Sequence, residues 1–450
     1  MVDDAKPAPK GEVTVGEIKI ITSAPDFTLP KFLLERNIFD PAKPRPASVT
    51  ANFVPKPAKG QDVSTLELQT VELFDFKFLG QNFAPSTYKV FADFGRGAQI
   101  DKKTVVGVGE TLAKKLIAAQ VEIFRAFARE RLSVNLPIDD EKAFNAWCGI
   151  RSKNGGYGFR GGPHFGGSAI DMNVVGCPYV ATGKAPLDVD PLGGAASLPS
   201  VKNAVPVVGG EMRSDQHKQE KDALKQRFVR ALEAYKSAVE FVHGDDETFD
   251  LSPKSATEDP ALLYNRFERV SSALSAYFSL GYDRRSREPT LLGVGEVHQP
   301  VDLDTFVARV SEFWDTDPSE PESFQAKRPS WKAGMEADRR AFLAPRYQTM
   351  QDDHEALRFV MIRGTMGYVP DPKKPDSLIC DISKLSTRDP CFGFLDFRQE
   401  IAVALMNQGL RWGAAMFGPE SNGDMMHFDL GHKVNPDLRP DPNPDKFGYK

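Results

Sequence analysis

The stretch Gly162-Pro-His-Phe-Gly-Gly-Ser-Ala-Ile-Asp171 contains the first group of residues suited to chemistry. Its histidine, His164, and its carboxylate, Asp171, are seven positions apart, and Gly167 and Ala169 between them leave room for close approach of the backbone. Imidazole nitrogens and carboxylate oxygens both bind zinc in proteins. The stretch therefore predicts two metal ligands and a local fold that holds them close together.

A second stretch, Asp424-Met-Met-His-Phe428, places a carboxylate three residues before a histidine. His427 can bind a metal ion while Asp424 holds and deprotonates a water molecule beside it. Either stretch alone is a weak indication, because a histidine in a glycine-rich loop usually serves as a hydrogen-bonding residue. Together they predict a His, Asp, His site with one open position and a base next to it.

The sequence upstream of the first stretch predicts how it is supported. Apolar residues recur at helical spacing from Leu112 to Ala128, which predicts a long amphipathic helix. The following run KAFNAWCGIRS is short, apolar and bounded by polar and glycine-rich residues. We interpret this run as a strand that delivers Arg151 to its end.

These motifs resemble those of the zinc peptidoglycan peptidases, the family of D-alanyl-D-alanine carboxypeptidases and L-alanyl-D-glutamate endopeptidases. Its signature is similar to Ser-x-His-x-x-Gly-x-Ala-x-Asp followed by Asp/Glu-x-x-His, and Gly162 replaces the serine here. The segment GLRWGAAMF, residues 409–417, resembles the family's segment ahead of the last ligand. The resemblance covers the two motif regions and leaves about 200 residues inserted between them.

The resemblance implies a role for each matching residue. His164, Asp171 and His427 would be zinc ligands, Asp424 the catalytic base, and Arg151 the residue that contacts the substrate carbonyl. The cofactor would be Zn²⁺ and the substrate a peptidoglycan stem peptide. Aspartate at position 424 is similar to the endopeptidase members, which favours cleavage within the stem peptide over removal of a terminal D-alanine.

The expected fold class is α+β, with a small antiparallel sheet and flanking helices forming a zinc peptidase core. A large, mainly helical insertion would interrupt this core, and a β-rich N-terminal region would precede it. The expected divisions are a flexible tail at 1–12, the β-rich region at 13–100, the core at 101–180 plus 390–433, the insertion at 181–389 and a proline-rich tail at 434–450.

Helical patterns are expected within and after the insertion. They cover Leu224–Val242, Pro260–Gly281 and the surroundings of Phe306–Phe313. A further helix is expected to be capped by Asp396 and to end before Gly409. The inserted region could act as a lid, as a substrate clamp or as the binding surface for a delivery or inhibitor protein.

Composition excludes several classes of protein. The 450 residues carry 57 Lys and Arg against 62 Asp and Glu, a formal charge of -5 that does not favour nucleic acid as a partner. No run approaches the roughly 18 apolar residues of a membrane span. The N-terminal sequence lacks the pattern of a secretory signal. We therefore expect synthesis in the cytoplasm and action on the cell wall after lysis or non-classical secretion.

Other candidate sites are less well supported. The cysteines are interpreted as ordinary thiols, with a Cys148–Cys177 disulfide left open. The remaining histidines are assigned solvated or structural roles, and the acidic run around His354 is interpreted as a solvated helix face. The alternative to the peptidase is a non-catalytic, zinc-stabilised binding module. Retention of both Asp424 and Arg151 argues against that alternative, because a structural site needs neither.

Overall fold

The architecture is taken from a computed structural model of the chain. It describes residues 11–15, 18–22, 28–53, 69–84, 86–88, 103–105, 107–150, 154–155, 163–173, 176–180, 230, 232–243, 251, 258–286, 296–316, 336–362, 368–371, 374–380, 389–417, 423–431 and 436–440. Arg151 and Gly162 lie outside the described residues, as do the two predicted tails apart from 11–12 and 436–440.

The described residues form both helices and strands, and most of the strand pairs are antiparallel. The chain is therefore a mixed α+β structure. The helices are α1 Lys31–Arg36, α2 Glu110–Ser133, α3 Glu141–Cys148, α4 Pro260–Gly281, α5 Leu303–Thr316, α6 Glu336–Val360 and α7 Gln399–Asn407. Residues 232–243 are also helical.

The strands are short. They are β1 Gly11–Val15, β2 Ile18–Thr22, β3 Ser48–Phe53, β4 Gln69–Phe74, β5 Phe83–Ala84, β6 Ser86–Tyr88, β7 Lys103–Val105, β8 Val108–Gly109, β9 Asn154–Gly155, β10 Ala169–Asp171, β11 Tyr179–Val180, β12 Tyr282–Ser286, β13 Glu296–Pro300, β14 Met361–Ile362, β15 Tyr368–Asp371, β16 Lys374–Cys380, β17 Arg411–Trp412, β18 Gly423–Asp424, β19 His427–Asp429 and β20 Arg439–Pro440.

Two small sheets bring the motif regions together. One has the strand order β17-β19-β10-β9-β5, in which only the β5–β9 pair is parallel. The other has the order β14-β11-β18. Strand β10 from the first motif pairs directly with β19 from the second, although their paired residues Asp171 and His427 are 256 positions apart.

The long helix predicted ahead of the first motif is confirmed as α2. Its apolar stripe, which includes Leu116, Phe124 and Phe127, is almost completely buried. The ring of Phe144 packs edge to face on Phe124 and on Phe127, with centroids 5.4 and 5.3 Å apart, and the rings of Phe124 and Phe127 are tilted at 5.7 Å. Helix α2 therefore forms one wall of the main hydrophobic core.

The run KAFNAWC is α3 and not the predicted strand. The Asp140 carboxylate accepts hydrogen bonds from the backbone N–H groups of Lys142 and Ala143, which caps the helix start. Gly149 takes a left-handed conformation with φ of 67° and ends the helix. The prediction was wrong because it used only the short apolar run and did not consider that Asp140 and Gly149 cap a helix at its two ends.

The predicted helices at 260–281 and around Phe306 are confirmed as α4 and α5. Asp259 caps α4, and Pro260 occupies its first position. On α4, Tyr264 stacks on Trp412 with ring centroids 6.1 Å apart, and Phe267 packs edge to face on the same ring at 5.3 Å. Helix α4, which comes from the part of the sequence between the two motifs, thus packs directly on the segment leading to His427.

The predicted cap of α7 is wrong. The helix begins at Gln399 after Arg398, and Asp396 lies before this boundary. The backbone N–H of Asp396 donates to Cys177 Sγ at 3.2 Å, and its carbonyl accepts from the Asn173 side chain. Asp396 therefore anchors the incoming chain to the residues after β10. The predicted end is confirmed, since Gly409 has φ of 74° just past the helix.

Cys148, Cys177 and Cys391 are free thiols. Cys148 and Cys177 are both buried and unbridged, so the disulfide left open by the sequence is not formed. Among the helices that the structure describes, none has the length and apolar character needed to cross a membrane.

One buried cation connects the N-terminal helix to the core. The Arg36 guanidinium donates to Gln120 Oε1 at 2.8 Å, to Glu141 Oε1 at 2.6 Å and to Asn145 Oδ1 at 3.1 Å. Gln120 Oε1 also accepts the backbone N–H of Leu79 at 3.0 Å. Because the Arg36 side chain is only 7% exposed, its partners cannot exchange it for water without rearrangement.

We predict that Arg36→Met lowers the free energy of unfolding by about 2–3 kcal/mol. The substitution leaves Gln120 and Asn145 without their hydrogen-bond donor, whereas Glu141 can be partly rehydrated. The matched control is Arg45→Met. Arg45 pairs with Glu72 and Glu110 at the surface, where such ion pairs contribute about 0–1 kcal/mol. Denaturant unfolding measures both, and equal losses in the two variants would contradict the role given to Arg36.

Candidate metal centre

Three separate pieces of backbone supply the residues of the first cluster. His164 lies on a 3-10 turn at Pro163–Gly166, Asp171 ends β10, and His427 begins β19. Antiparallel pairing sets Asp171 directly opposite His427. The sheet register therefore fixes two of the residues, and the turn before β10 brings the third to them.

The three side chains point their donor atoms at one another. His164 Nε2 lies 3.0 Å from Asp171 Oδ1 and 2.9 Å from His427 Nδ1, and His427 Nδ1 lies 3.1 Å from Asp171 Oδ1. Tetrahedral zinc with bonds of about 2.0–2.2 Å needs ligand atoms roughly 3.3–3.6 Å apart. A small expansion of the triangle is enough to admit such an ion.

Hydrogen bonding alone does not account for this triangle. A proton on His164 Nε2 can point to Asp171 or to His427, but it cannot point to both, so one short edge of the triangle lacks a proper hydrogen bond. Convergence of two imidazole nitrogens and one carboxylate oxygen on a common point is the arrangement of a metal-ligand set. The described residues of this cluster thus fit a divalent metal ion.

Glycine is required where the turn meets β10. Gly167 has φ of 66°, and an added Cβ would lie 2.5 Å from Leu73 Cδ2. Its carbonyl accepts the backbone N–H of Gly109 at 2.8 Å, immediately before α2. The turn that carries His164 is thereby held against the start of the long helix.

Asp424 lies beside the three converging atoms. It ends β18, and the two-residue turn of Met425 and Met426 returns the chain to His427. The backbone N–H of Met172 donates to the carbonyl of Met426 at 2.7 Å, and Trp412 Nε1 donates to the carbonyl of Met425 at 3.0 Å. These bonds fix the turn between the carboxylate and the histidine.

The Asp424 carboxylate is poised to accept a proton. Its Oδ1 is buried and has no hydrogen-bond partner among the described residues. Burial and the nearby negative charge of Asp171 raise the pKa of Asp424 to about 7, against the opposing effect of His427 and His164. The unpaired oxygen and the raised pKa are the properties of a general base.

Asp171 behaves in the opposite way. Burial alone would raise its pKa, but the charges and hydrogen bonds of His164 and His427 hold it well below the usual range. Burial alone would lower the pKa of His427, whereas hydrogen bonds to Asp171 and Asp429 raise it to about 10. Asp171 is therefore kept as an anion, which is the form that binds a metal ion.

Asp429 is a residue of the site that the sequence analysis missed. His427 Nε2 lies 2.9 Å from Asp429 Oδ2, so Nε2–H donates a hydrogen bond to this carboxylate and Nδ1 is left facing the cluster. Arg411 donates to both oxygens of Asp429, at 3.1 and 2.7 Å, and the backbone N–H of Gly431 donates at 2.8 Å. Strand periodicity was the available signal, because positions 427 and 429 share one face.

The other predicted residues fall in different places. Arg151 lies outside the described residues, and the strand three residues later, β9, pairs with Asp171 through Gly155. His217 and His432 also lie outside the described part of the chain. The solvated face predicted for the acidic run around His354 is wrong for Asp353, which is only 1% exposed, whereas the burial of His354 at 3% exposure fits the structural role left open for it.

Gly413 provides the space in which Asp424 and His427 meet. A Cβ added there would lie 2.5 Å from the Asp424 carbonyl oxygen and 3.0 Å from the Cβ atoms of both residues. Gly413 begins the 3-10 turn that follows β17. This close approach explains why a glycine follows Trp412.

We predict that Gly413→Ala weakens metal binding by about tenfold or more, because it pushes the Asp424–His427 turn away from the cluster. Gly409→Ala is the control: its left-handed backbone is strained by a side chain, but the nearest atom to an added Cβ is Lys115 Nζ at 3.5 Å. Chelator competition measures affinity, and thermal melting measures stability. Equal effects on affinity would refute this role for Gly413.

For Asp429→Asn we predict a loss of metal affinity of about 10–100-fold. Both oxygens of Asp429 face donors only, so an amide NH₂ in place of one of them opposes His427 or Arg411 and disturbs the histidine tautomer. Affinity is measured by competition with a chromophoric chelator, and circular dichroism checks the fold. Unchanged affinity in a folded variant would exclude this positioning role.

Comparison of the chain with protein-family models, curated proteins and solved structures returns no significant match.

Proposed function

We propose that the chain is a zinc-dependent peptidase that hydrolyses stem peptides of bacterial peptidoglycan. The observation that carries the proposal is the buried, unpaired Oδ1 of Asp424 beside three converging ligand atoms. A purely structural metal site has no use for a free carboxylate next to its ligands. A hydrolase needs one, because the attacking water must lose a proton.

The donor set supports zinc as the metal. Two histidine nitrogens and one carboxylate oxygen form the His₂-carboxylate set found in catalytic zinc sites, which keep their fourth position for water or substrate. In the described part of the chain, no further Cys or His belongs to the first cluster. When bound there, zinc would lower the pKa of a water molecule towards neutrality and polarise the scissile carbonyl.

The residues around the cluster would transfer the proton, orient His427 and stabilise the carbonyl oxygen. Asp424 accepts the water proton at Oδ1 and passes it to the leaving amine, so one carboxylate serves as base and then as acid. Asp429 and Arg411 hold the His427 ring in the tautomer that leaves Nδ1 free. Arg151, by the resemblance, stabilises the negative charge that develops on the carbonyl oxygen.

The substrate class rests on the resemblance of the two motifs to peptidoglycan peptidases. The aspartate at position 424 is similar to the endopeptidase members, so we place the cut within the stem peptide. A D-alanyl-D-alanine carboxypeptidase is the alternative within the same chemistry. Mass analysis distinguishes the two, because the carboxypeptidase releases free D-alanine and the endopeptidase releases longer fragments.

The test uses purified peptidoglycan and the full chain loaded with zinc. We predict that Asp424→Asn lowers the rate of peptide release by about 10²–10⁴-fold while one zinc ion stays in the first cluster, since the variant loses the base but no ligand. His427→Ala should lose both zinc and activity. Chelation of the wild type should abolish activity, and zinc should restore it.

Asp304→Asn is the matched control, because Asp304 is an exposed carboxylate on α5 that pairs with Arg340 and is not part of the first cluster, so its loss should leave the rate unchanged. Full activity in Asp424→Asn would exclude Asp424 as the base. Stoichiometric zinc without cleavage of any peptidoglycan preparation would favour the non-catalytic binding module.

A further inference from the structure

A second cluster of ligand-type side chains lies outside the candidate peptidase site. It contains His298 on β13 and the pair Asp389 and Cys391 at the 3-10 turn Pro390–Phe392. One donor atom from each of the three residues lies within 4.8 Å of the other two. His354 on α6 approaches the same carboxylate.

Contacts within this second cluster converge on Asp389. His298 Nδ1 lies 3.2 Å from Asp389 Oδ2, and His354 Nε2 lies 3.3 Å from Asp389 Oδ1. The backbone N–H of Cys391 donates to Asp389 Oδ1 at 2.9 Å. The backbone thus holds the carboxylate and the cysteine two positions apart, with their side chains next to each other.

The polar side chains of the second cluster are buried, and a buried polar group destabilises the fold unless it has a hydrogen-bond partner or binds an ion. The His298 side chain is 9% exposed, that of Asp389 11%, and Cys391 is 3% exposed. His298 Nδ1 makes no hydrogen bond of good geometry among the described residues, despite its closeness to Asp389. A buried imidazole nitrogen without a proper partner destabilises the fold, and a bound ion would supply that partner.

The donor atoms select the class of ion. Calcium and magnesium prefer sets made of oxygen atoms, whereas imidazole nitrogen with thiolate sulfur suits zinc and similar transition metals. His354 stacks on Tyr282 with ring centroids 4.0 Å apart, which fixes the ring that touches Asp389. Such an outer partner orients a ligating carboxylate.

We propose that His298, Asp389 and Cys391 form a second site for a divalent transition-metal ion of the zinc class, with His354 orienting Asp389. The site is separate from the candidate peptidase centre and shares no residue with it. It ties strand β13 to the chain segment that runs from Asp389 to Phe397.

This segment matters because it leads the chain back to the first cluster. Ser271 Oγ accepts the backbone N–H groups of Phe394 and Leu395, and Ser275 Oγ donates to the carbonyl of Cys391. Asp396 then bonds to Asn173 and Cys177, just after β10. An ion at the second site would fix the start of this path, and its role is structural.

Cobalt distinguishes the two clusters. The first cluster contains no sulfur, so a thiolate-to-cobalt charge-transfer band in the near ultraviolet reports only a cysteine ligand. We predict this band when the metal-free full chain is titrated with Co²⁺. Cys391→Ser should abolish it, and Cys177→Ser, which changes another buried thiol, should leave it intact.

Metal analysis gives an independent count. We expect about two zinc ions per wild-type chain and about one in Cys391→Ser, in His298→Gln and in the double variant His164→Ala, His427→Ala. The double variant should keep the charge-transfer band. This pattern holds whether or not the first cluster hydrolyses peptides, so failure of the second site and failure of the proposed function can be told apart.

His298→Gln guards against a folding defect in Cys391→Ser, because each variant removes a different ligand and circular dichroism checks both. A wild type without the charge-transfer band would overturn the proposal. So would a band that persists in folded Cys391→Ser, or a zinc content that neither Cys391→Ser nor His298→Gln lowers.

Discussion

Pairing of β10 with β19 is the constraint on which the rest of the site depends. These strands are three residues long, yet their register places Asp171 opposite His427 across 256 positions of sequence. A shift of one residue would turn His427 to the other face of the sheet. Every feature that fixes this register therefore also fixes the candidate metal centre.

Several contacts outside the pair serve this purpose. Strand β17 pairs with the far edge of β19 and brings Arg411 opposite Asp429. On the interior side, Phe428 stacks on Trp412 with ring centroids 5.9 Å apart, and Trp412 is covered in turn by Tyr264 and Phe267 of α4. The apolar face anchors the strand, and the polar face carries the candidate ligand His427. Because successive residues of a strand point to opposite faces, Phe428 lies on the apolar face and His427 and Asp429 lie on the polar face.

The sequence allowed the cluster of His164, Asp171 and His427 to be predicted because motif spacing and residue type carry that information locally. Helices α2, α4 and α5 were predictable for a similar reason, since their apolar periodicity is long. Short elements were harder to predict. Helix α3 depends on its caps at Asp140 and Gly149, and the backbone of Asp396 bonds to the distant side chains of Asn173 and Cys177 ahead of α7.

The second cluster was not predictable from a motif. His298 is 91 positions from Asp389, and neither residue sits in a recognisable spacing pattern. Their meeting depends on hairpin β12–β13, on α4 and on the turn at Pro390, which come together only in the tertiary structure. Asp429 was partly predictable. Strand alternation places it on the same face as His427, but no sequence pattern indicated that Arg411 would donate hydrogen bonds to it.

The two carboxylates next to His427 show how one small site can give them different roles. Asp171 faces two imidazole rings, and their charges and hydrogen bonds stabilise its anion more than burial destabilises it. Asp424 Oδ1 is buried without a hydrogen-bond partner among the described residues, and burial together with the negative charge of Asp171 raises the pKa of Asp424 to about 7. When the surroundings shift the pKa values of two neighbouring carboxyl groups in opposite directions, one group stays ionised and the other can accept a proton. The proposed roles of Asp171 as a ligand and Asp424 as a base require this difference. Because Asp171 must stay ionised to bind a metal, its charge itself raises the proton affinity of Asp424. The candidate ligand Asp171 and the proposed base Asp424 are thus coupled electrostatically.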